Sequence, residues 1–527
     1  RILLIFVVLF LFNICLFSQE EDKILVKYTN EKIILDGKVN EEAWKNADVI
    51  SNFIQWFPSD SLKATNETEV KLLFDDTNFY LLVKAYSTDS KHIVSSLRRD
   101  FRGAGNDNIA FLFDTFDDKT NAFFFGSNTM GVKREGLISN GGNNFRVDYN
   151  ASWDTKWQVE AKVYDDYYLL EIKIPFSSLN FVEGGKKWRF NIYRFDTDSA
   201  EWSQLEKRPQ NQQLINLAFM RDIFFERALG KSKNPTYLIP YINTIVSEDY
   251  ELKNPHYSQI TFGGDAKIPI GSNGINLDLT INPDFSQVEV DNQIVNLTRF
   301  EISLPEKRQF FIQNNDLFTN FGDFREQQPF FSRRIGIAKD KEDNTIENRI
   351  LGGIRISGKL NKDLRLGFLN MQTQEDLPNE IAANNNTVLT LQQKVFKRSN
   401  IGMIFINRQS TKEYDFLTEE EKYNRVLGID YNLATSSNIW TGRFWLHKSF
   451  TPTIKSNDFS GGFRIDYNMR KFRIYSDPVF IGENFQSDLG FNRRTGIMKL
   501  PLLFSYRIWS PTKKINRIEL TQFGLSF

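Results

Sequence analysis

The chain has 527 residues, too many for one hydrophobic core, which implies at least two folding units. Its 66 basic residues balance 66 acidic ones, so nucleic acid loses its electrostatic warrant as a partner. Aromatic residues make up 14%, with 48 Phe, on a background of negative mean hydropathy, a composition that suits a barrel with aromatic girdles and also a soluble sandwich.

The first segment, residues 1–19, has the character of a signal peptide: Arg1 to Phe17 is nearly all apolar, and Ser18, Gln19 and an acidic run follow. The run is slightly short for a spanning helix, so an uncleaved anchor is the weaker reading. Because the chain starts with Arg1, the initiator and basic n-region are expected to be missing. Cys15 is the only cysteine, and Asn13 and Ile14 before it are not the small residues of a lipoprotein signal. Once that segment is removed, disulfides, thiolate catalysis and cysteine-ligated metals are excluded together.

Residues 24–196 carry the strand-and-turn grammar of a soluble β-sandwich. A short helix is predicted at 41–47, capped by Asn40. Strands are predicted at 68–74 and 79–86, joined as a hairpin by Asp75, Asp76, Thr77 and Asn78, whose side chains bend the backbone. Others fall at 109–113, 122–125, 157–163, 168–174 and 188–193. Residues 197–235, mixed and polar, are predicted to be a linker. From 236 to 527 the strands become amphipathic: Ile275, Leu277, Leu279 and Ile281 alternate with Asn276, Asp278 and Thr280, and Leu427, Ile429 and Tyr431 with Gly428, Asp430 and Asn432. This predicts an antiparallel transmembrane β-barrel, with loops or turns at 342–348, 375–386 and 412–422. The expected fold class is all-β.

Ile34-Leu35-Asp36-Gly37, Glu42, Trp44, the hairpin at 68–89, then Trp153, Trp157 and Ile174-Pro175-Phe176 together resemble the family 9 carbohydrate-binding-like domain, of immunoglobulin-like or jelly-roll type. The block Asn282-Pro283-Asp284-Phe285-Ser286-Gln287-Val288-Glu289, followed by Leu304-Pro305-Glu306-Lys307-Arg308-Gln309-Phe310-Phe311, is similar to the signature of an outer-membrane family of unknown function that carries such a domain ahead of a barrel. The resemblance implies localisation in the cell outer membrane, with the sandwich in the periplasm or at the surface. It also implies a barrel cut short at Phe527; the alternative is that Phe527, with Phe523 and Leu525 on the same face, is the terminal aromatic read by assembly machinery. The expected function is non-catalytic: binding or handling glycans, with the lipid bilayer as second partner. The alternatives are a docking module for envelope proteins and a glycoside hydrolase of carbohydrate catabolism.

Sugar binding needs flat aromatic faces and a few polar groups. Trp56, Trp153 and Trp157 are the candidate glycan-binding residues, whereas Trp44, on the apolar side of the short helix, is expected in the core. Asp114, Asp117 and Asp118 offer clustered oxygen ligands for calcium, although turn chemistry accounts for the same residues, and Asp107 has the same two readings. His92, His256 and His447 are far apart in sequence, with no zinc-type pair or triad, and no pair of carboxylates is singled out for glycoside hydrolysis. Gly230-Lys231-Ser232 lacks the upstream glycine of a phosphate-binding loop, since Phe225 stands there. The Glu306-Lys307-Arg308 triplet is expected to be a charged turn pinned at the barrel rim by Phe310 and Phe311; the alternative is a lumen-facing cluster that tunes passage or holds a plug.

Overall fold

The computed structural model describes residues 23–88, 91–230, 235–248, 256–271, 274–283, 306–509, 515 and 517–524. The signal-type segment, residues 284–289 and 304–305 of the barrel signature, residues 231–232, Leu525 and Phe527 lie outside them.

The N-terminal half is a two-layer sandwich of thirteen strands. They are β1 (Ile24–Tyr28), β2 (Ile54–Phe57), β3 (Thr68–Phe74), β4 (Asn78–Tyr86), β5 (Asn108–Asp114), β6 (Ala122–Asn128), β7 (Lys133–Ile138), β8 (Tyr149–Asn150), β9 (Gln158–Val163), β10 (Tyr167–Pro175), β11 (Lys187–Asp196), β12 (Glu201–Gln204) and β13 (Arg221–Phe225). One layer runs β8-β7-β6-β5-β11-β13-β1 and the other β1-β3-β4-β10-β9, with β1 parallel to both β13 and β3. The β3–β4 turn forms because the Asp75 carboxylate accepts from the backbone N–H groups of Thr77 and Asn78 and from the Tyr80 hydroxyl. Between the layers, Phe79, Phe113, Trp188 and Phe225 meet largely edge to face, and all are at most 2% exposed.

Two expectations need correction here. The short helix is Glu42–Asn46 and Asn40 does not cap it; its first N–H groups, those of Glu42 and Ala43, donate instead to the carboxylate of Glu31. The stretch 197–235 is not a free linker: β12 and β13 belong to the sandwich, and Ile215 and Leu217 cover the second face of β5. Part of its polarity is spent internally. Buried Arg208 donates to the carbonyls of Gln213, Asn216 and Phe219, which folds the loop back on itself.

From Tyr237 a second antiparallel sheet, of fifteen strands among the described residues, curls around a filled interior. Its polarity is inverted relative to the sandwich. In Ser399–Ser410, Ile401, Met403 and Phe405 point outward and are exposed, while Ile404 and Ile406 point inward; in Tyr423–Ala434, Leu427 and Ile429 are each 48% exposed, while Asp430 is buried. Asn276, Asp278 and Thr280 are likewise the buried set of Ile275–Ile281. Among the described residues the sheet is not closed: Tyr237–Glu248 and Arg517–Phe523 each pair along one edge only. No described helix is long and apolar enough to cross a membrane, which leaves crossing by strands untouched.

Residues 306–335 thread the interior as two short helices, Gln309–Ile312 and Asp316–Thr319, with connecting loops. Phe311, Phe318, Phe321 and Phe330 pack on the inward side chains Leu369, Val388, Ile404 and Val426. A Cβ at Gly402 would lie 2.9 Å from the Phe321 ring, so the sheet needs a side-chain-free position there.

Candidate functional site

The sandwich and the second sheet meet end to end, and polar contacts join them. Lys359, at the end of its strand, pairs with buried Asp118; Asn320 of the interior segment donates to Asn140; and Arg470 pairs with Asp60. The presumed linker supplies three more contacts: Asn438 donates to Gln212 at 2.8 Å, Asn211 to the Asn468 carbonyl at 3.0 Å, and Arg398 to Asn216 at 3.4 Å. Its polarity is therefore that of a joint.

Each candidate sugar-stacking residue has a different place. Trp157 is 2% exposed and lies edge-on to Phe125 in the sandwich core, so its ring faces are covered. Trp56 is half-buried and its indole N–H donates to the Gln212 carbonyl, which ties β2 to the joint. Trp153 is 8% exposed, packs on Phe123 at 5.3 Å, and borders a cavity of about 640 Å³ between the two halves. The three residues do not converge on one platform. Trp44 is in the core, as its helical position predicts.

The acidic cluster is a turn whose oxygens are already engaged. Asp114 accepts from the N–H groups of Phe116, Asp118 and Lys119; Asp118 accepts from Thr120 and Asn121 and pairs with Lys359; Asp117 pairs with Lys187. Burial, reinforced by the neighbouring Asp118, pushes the Asp114 carboxyl well above the usual carboxylate range. Asp118 is equally buried, yet the ammonium of Lys359 and the Thr120 hydrogen bonds hold it well below the usual carboxylate range. No group of three or more His, Cys, Asp or Glu side chains is placed to hold a metal among the described residues. Asp107 is a staple as well, accepting from the backbone N–H groups of Ile93 and Thr197.

Glu306-Lys307-Arg308 is not a rim turn. Buried Glu306 pairs with Arg308 at 2.7 Å and accepts from the Ser332 hydroxyl at 2.6 Å, while Arg308 donates to the Ser332 and Ile335 carbonyls and stacks over Phe311. The triplet clamps the start of the interior segment to its return.

Further fasteners escape sequence reasoning. His447 approaches Asp430 through Nε2 at 2.8 Å and Gln327 through Nδ1 at 3.1 Å, and Asp430 also accepts from the N–H of Gly322. Arg464 pairs with Asp323, and Arg365 with Asp316. This His–Asp pair tethers the interior segment. Its only sequence signal is a polar residue at alternate strand positions, without any indication of its partner.

Residues 34–208 match the model of the carbohydrate family 9 binding domain-like family, and residues 236–525 match that of a domain of unknown function (DUF5916). Among solved structures, a carbohydrate binding module family 9 from Caldicellulosiruptor kristjanssonii in complex with cellotriose is 16% identical, with a TM-score of 0.28, over 40% of this chain and 96% of that one. A putative carbohydrate-binding protein from Bacteroides uniformis is 12% identical, with a TM-score of 0.31, over 39% of this chain and 99% of that one. No curated protein matches. The second family match spans more than half of the chain and takes in the whole inverted sheet with its interior segment, so the chain belongs to the DUF5916 family, with a carbohydrate family 9-like sandwich ahead of that domain.

Proposed function

We propose that the protein is a non-catalytic outer-membrane protein that binds glycans at the cell envelope through its sandwich. One observation carries this reading: a carbohydrate family 9-like sandwich caps one end of a sheet that is apolar outside and that buries ion pairs beside an apolar cluster inside. Exposed Met403, Leu427, Ile429, Leu446 and Phe463 stand on the outward face of four neighbouring strands, as a lipid-facing band requires. Spanning strands must pair along both edges, so Tyr237–Glu248 and Arg517–Phe523 must pair with one another or with further strands.

Connection length supports a side for the sandwich. The turns at 360–363, 396–398, 435–439 and 469–471 lie at the sandwich end, whereas the connections 374–383, 411–422, 451–458 and 482–496 lie at the other. Outer-membrane barrels carry short turns on the periplasmic side and long loops outside. On this reading the sandwich is periplasmic.

The test uses the full chain. Membrane fractionation of expressing cells should recover it with the outer membrane, and protein in liposomes should co-sediment with at least one polysaccharide of a broad panel. Recovery in the soluble fraction would refute the membrane assignment. Retention of no polysaccharide by well-folded protein would refute the glycan assignment.

A further inference from the structure

The cavity between the two halves has a composition that goes beyond the sandwich alone. One wall is sandwich: Phe116, Phe123, Tyr149 and Trp153, with Asn150 and Ser152. The other is the interior segment of the second domain: Gln313, Asn314, Asn315, Asn320 and Phe324. Its volume of about 640 Å³ lies within the roughly 300–1,000 Å³ of small-molecule sites. Both walls are held in place, because Lys359–Asp118 and Asn320–Asn140 bridge them, so the space is formed before any ligand arrives.

The chemistry of the lining narrows the ligand. Most of its charges are neutralised where they stand, Lys359 by Asp118, Arg365 by Asp316 at 2.6 Å, and Glu306 by Arg308, while Arg146 on the sandwich wall is exposed to solvent. Side-chain amides and hydroxyls remain beside aromatic surface, a combination that offers both donors and acceptors to a ligand without net charge. Amides pair with hydroxyls in either sense, and aromatic rings pack on the C–H faces of a sugar ring. Carboxylated or phosphorylated ligands would give up hydration against cations that are already paired, with only the solvent-screened Arg146 to repay their desolvation.

We propose that this interdomain cavity binds a neutral, hydroxyl-rich ligand, a short uncharged oligosaccharide, and that the binding site is completed by the interior segment at 313–320. The proposal rests on the glycan reading above and places its site. Binding then reports on the joint: a ligand that bridges the walls stabilises the interior segment in its seat by mass action.

The experiment measures affinities of the full chain in detergent for neutral and uronate-containing oligosaccharides of matched length, by calorimetry. Ser152→Trp fills the cavity from the sandwich and Gln313→Trp from the interior segment. Strand content by circular dichroism and the thermal midpoint verify that each variant is folded. The expected result is binding of a neutral member, weakened at least tenfold by each variant. If the unsubstituted chain binds and two folded variants bind as tightly, the site lies elsewhere: the cavity proposal fails while the glycan reading survives. If Ser152→Trp alone weakens binding, the part assigned to the interior segment fails. Tighter binding of uronates overturns the ligand class, and binding of no oligosaccharide by the unsubstituted chain refutes both proposals. Should a tryptophan variant misfold, Ser152→Phe and Gln313→Phe provide the same readout with smaller side chains.

Discussion

The two halves of this molecule use the same two-residue strand period toward opposite solvents. In the sandwich, Ile109, Phe111 and Phe113 face the core, and the outer face of that same strand is buried again under Ile215 and Leu217. In the second sheet, Leu427 and Ile429 face out, while Asp430 and His447 are buried. Alternation thus identifies a strand with two unlike faces without saying which face is wet. Polarity is decided by what fills the concave side, here a segment whose carbonyls, amides and carboxylates need partners.

The contrast can be broken most severely at its two cores. Phe113→Ala should destabilise the sandwich by about 3–5 kcal/mol, equally in detergent and in lipid, as read by denaturant unfolding. Lys359→Ala leaves Asp118 buried without its cation at the junction, at a cost of about 3–5 kcal/mol for a broken buried pair. Asp118 has a depressed folded pKa, so the stabilisation is present above about pH 4 and is lost as pH falls toward the depressed value. The deficit of Lys359→Ala should therefore narrow in acid.

Outward positions sharpen the comparison next. Leu427→Arg should cost about 2–4 kcal/mol in a bilayer if that residue lies near the midplane, whereas Val163→Arg on the exposed sandwich edge should change stability little. Equal effects would remove the distinction between the two surfaces.

Smaller effects probe the sandwich alone. Burial, with added repulsion from Glu41 and Asp36, raises Glu171 to about 7 despite the Gly37 and Asp36 N–H groups that donate to it. A carboxyl with a raised folded pKa favours folding when protonated, so stability should fall as pH climbs from about 4 to about 7. Glu171→Gln should reduce that slope in pH-dependent melting. The smallest change is Asn144→Ala, which removes the cap on the Arg146 N–H and should cost about 1 kcal/mol.

Much of the sandwich was legible because its signals are local. Asp75 to Asn78 encodes the β3–β4 turn, and the apolar runs of β5, β10 and β11 read directly as buried strands. The remainder depends on distant partners. β1 finds β13 across almost the whole sandwich sequence, and β12 and β13 are short and sit in polar surroundings. The 197–235 stretch looks like a linker because its amides are matched to Asn438, Asn468 and Arg398, more than 180 residues away. Of the candidate site, Trp153 was visible as an aromatic near a polar turn. Its facing wall at 313–320 was not, because no local pattern announces that a segment will thread a sheet.

Cysteine accessibility tests the proposed arrangement most directly. In a Cys15→Ser background, Glu413→Cys lies on an exposed loop at the long-loop end and Glu183→Cys on the exposed surface of the sandwich. With a membrane-impermeant maleimide on intact cells, the expected result is labelling of Glu413→Cys alone, with Glu183→Cys reacting only after the outer membrane is permeabilised. Labelling of Glu183→Cys in intact cells, with Glu413→Cys protected, would contradict the account.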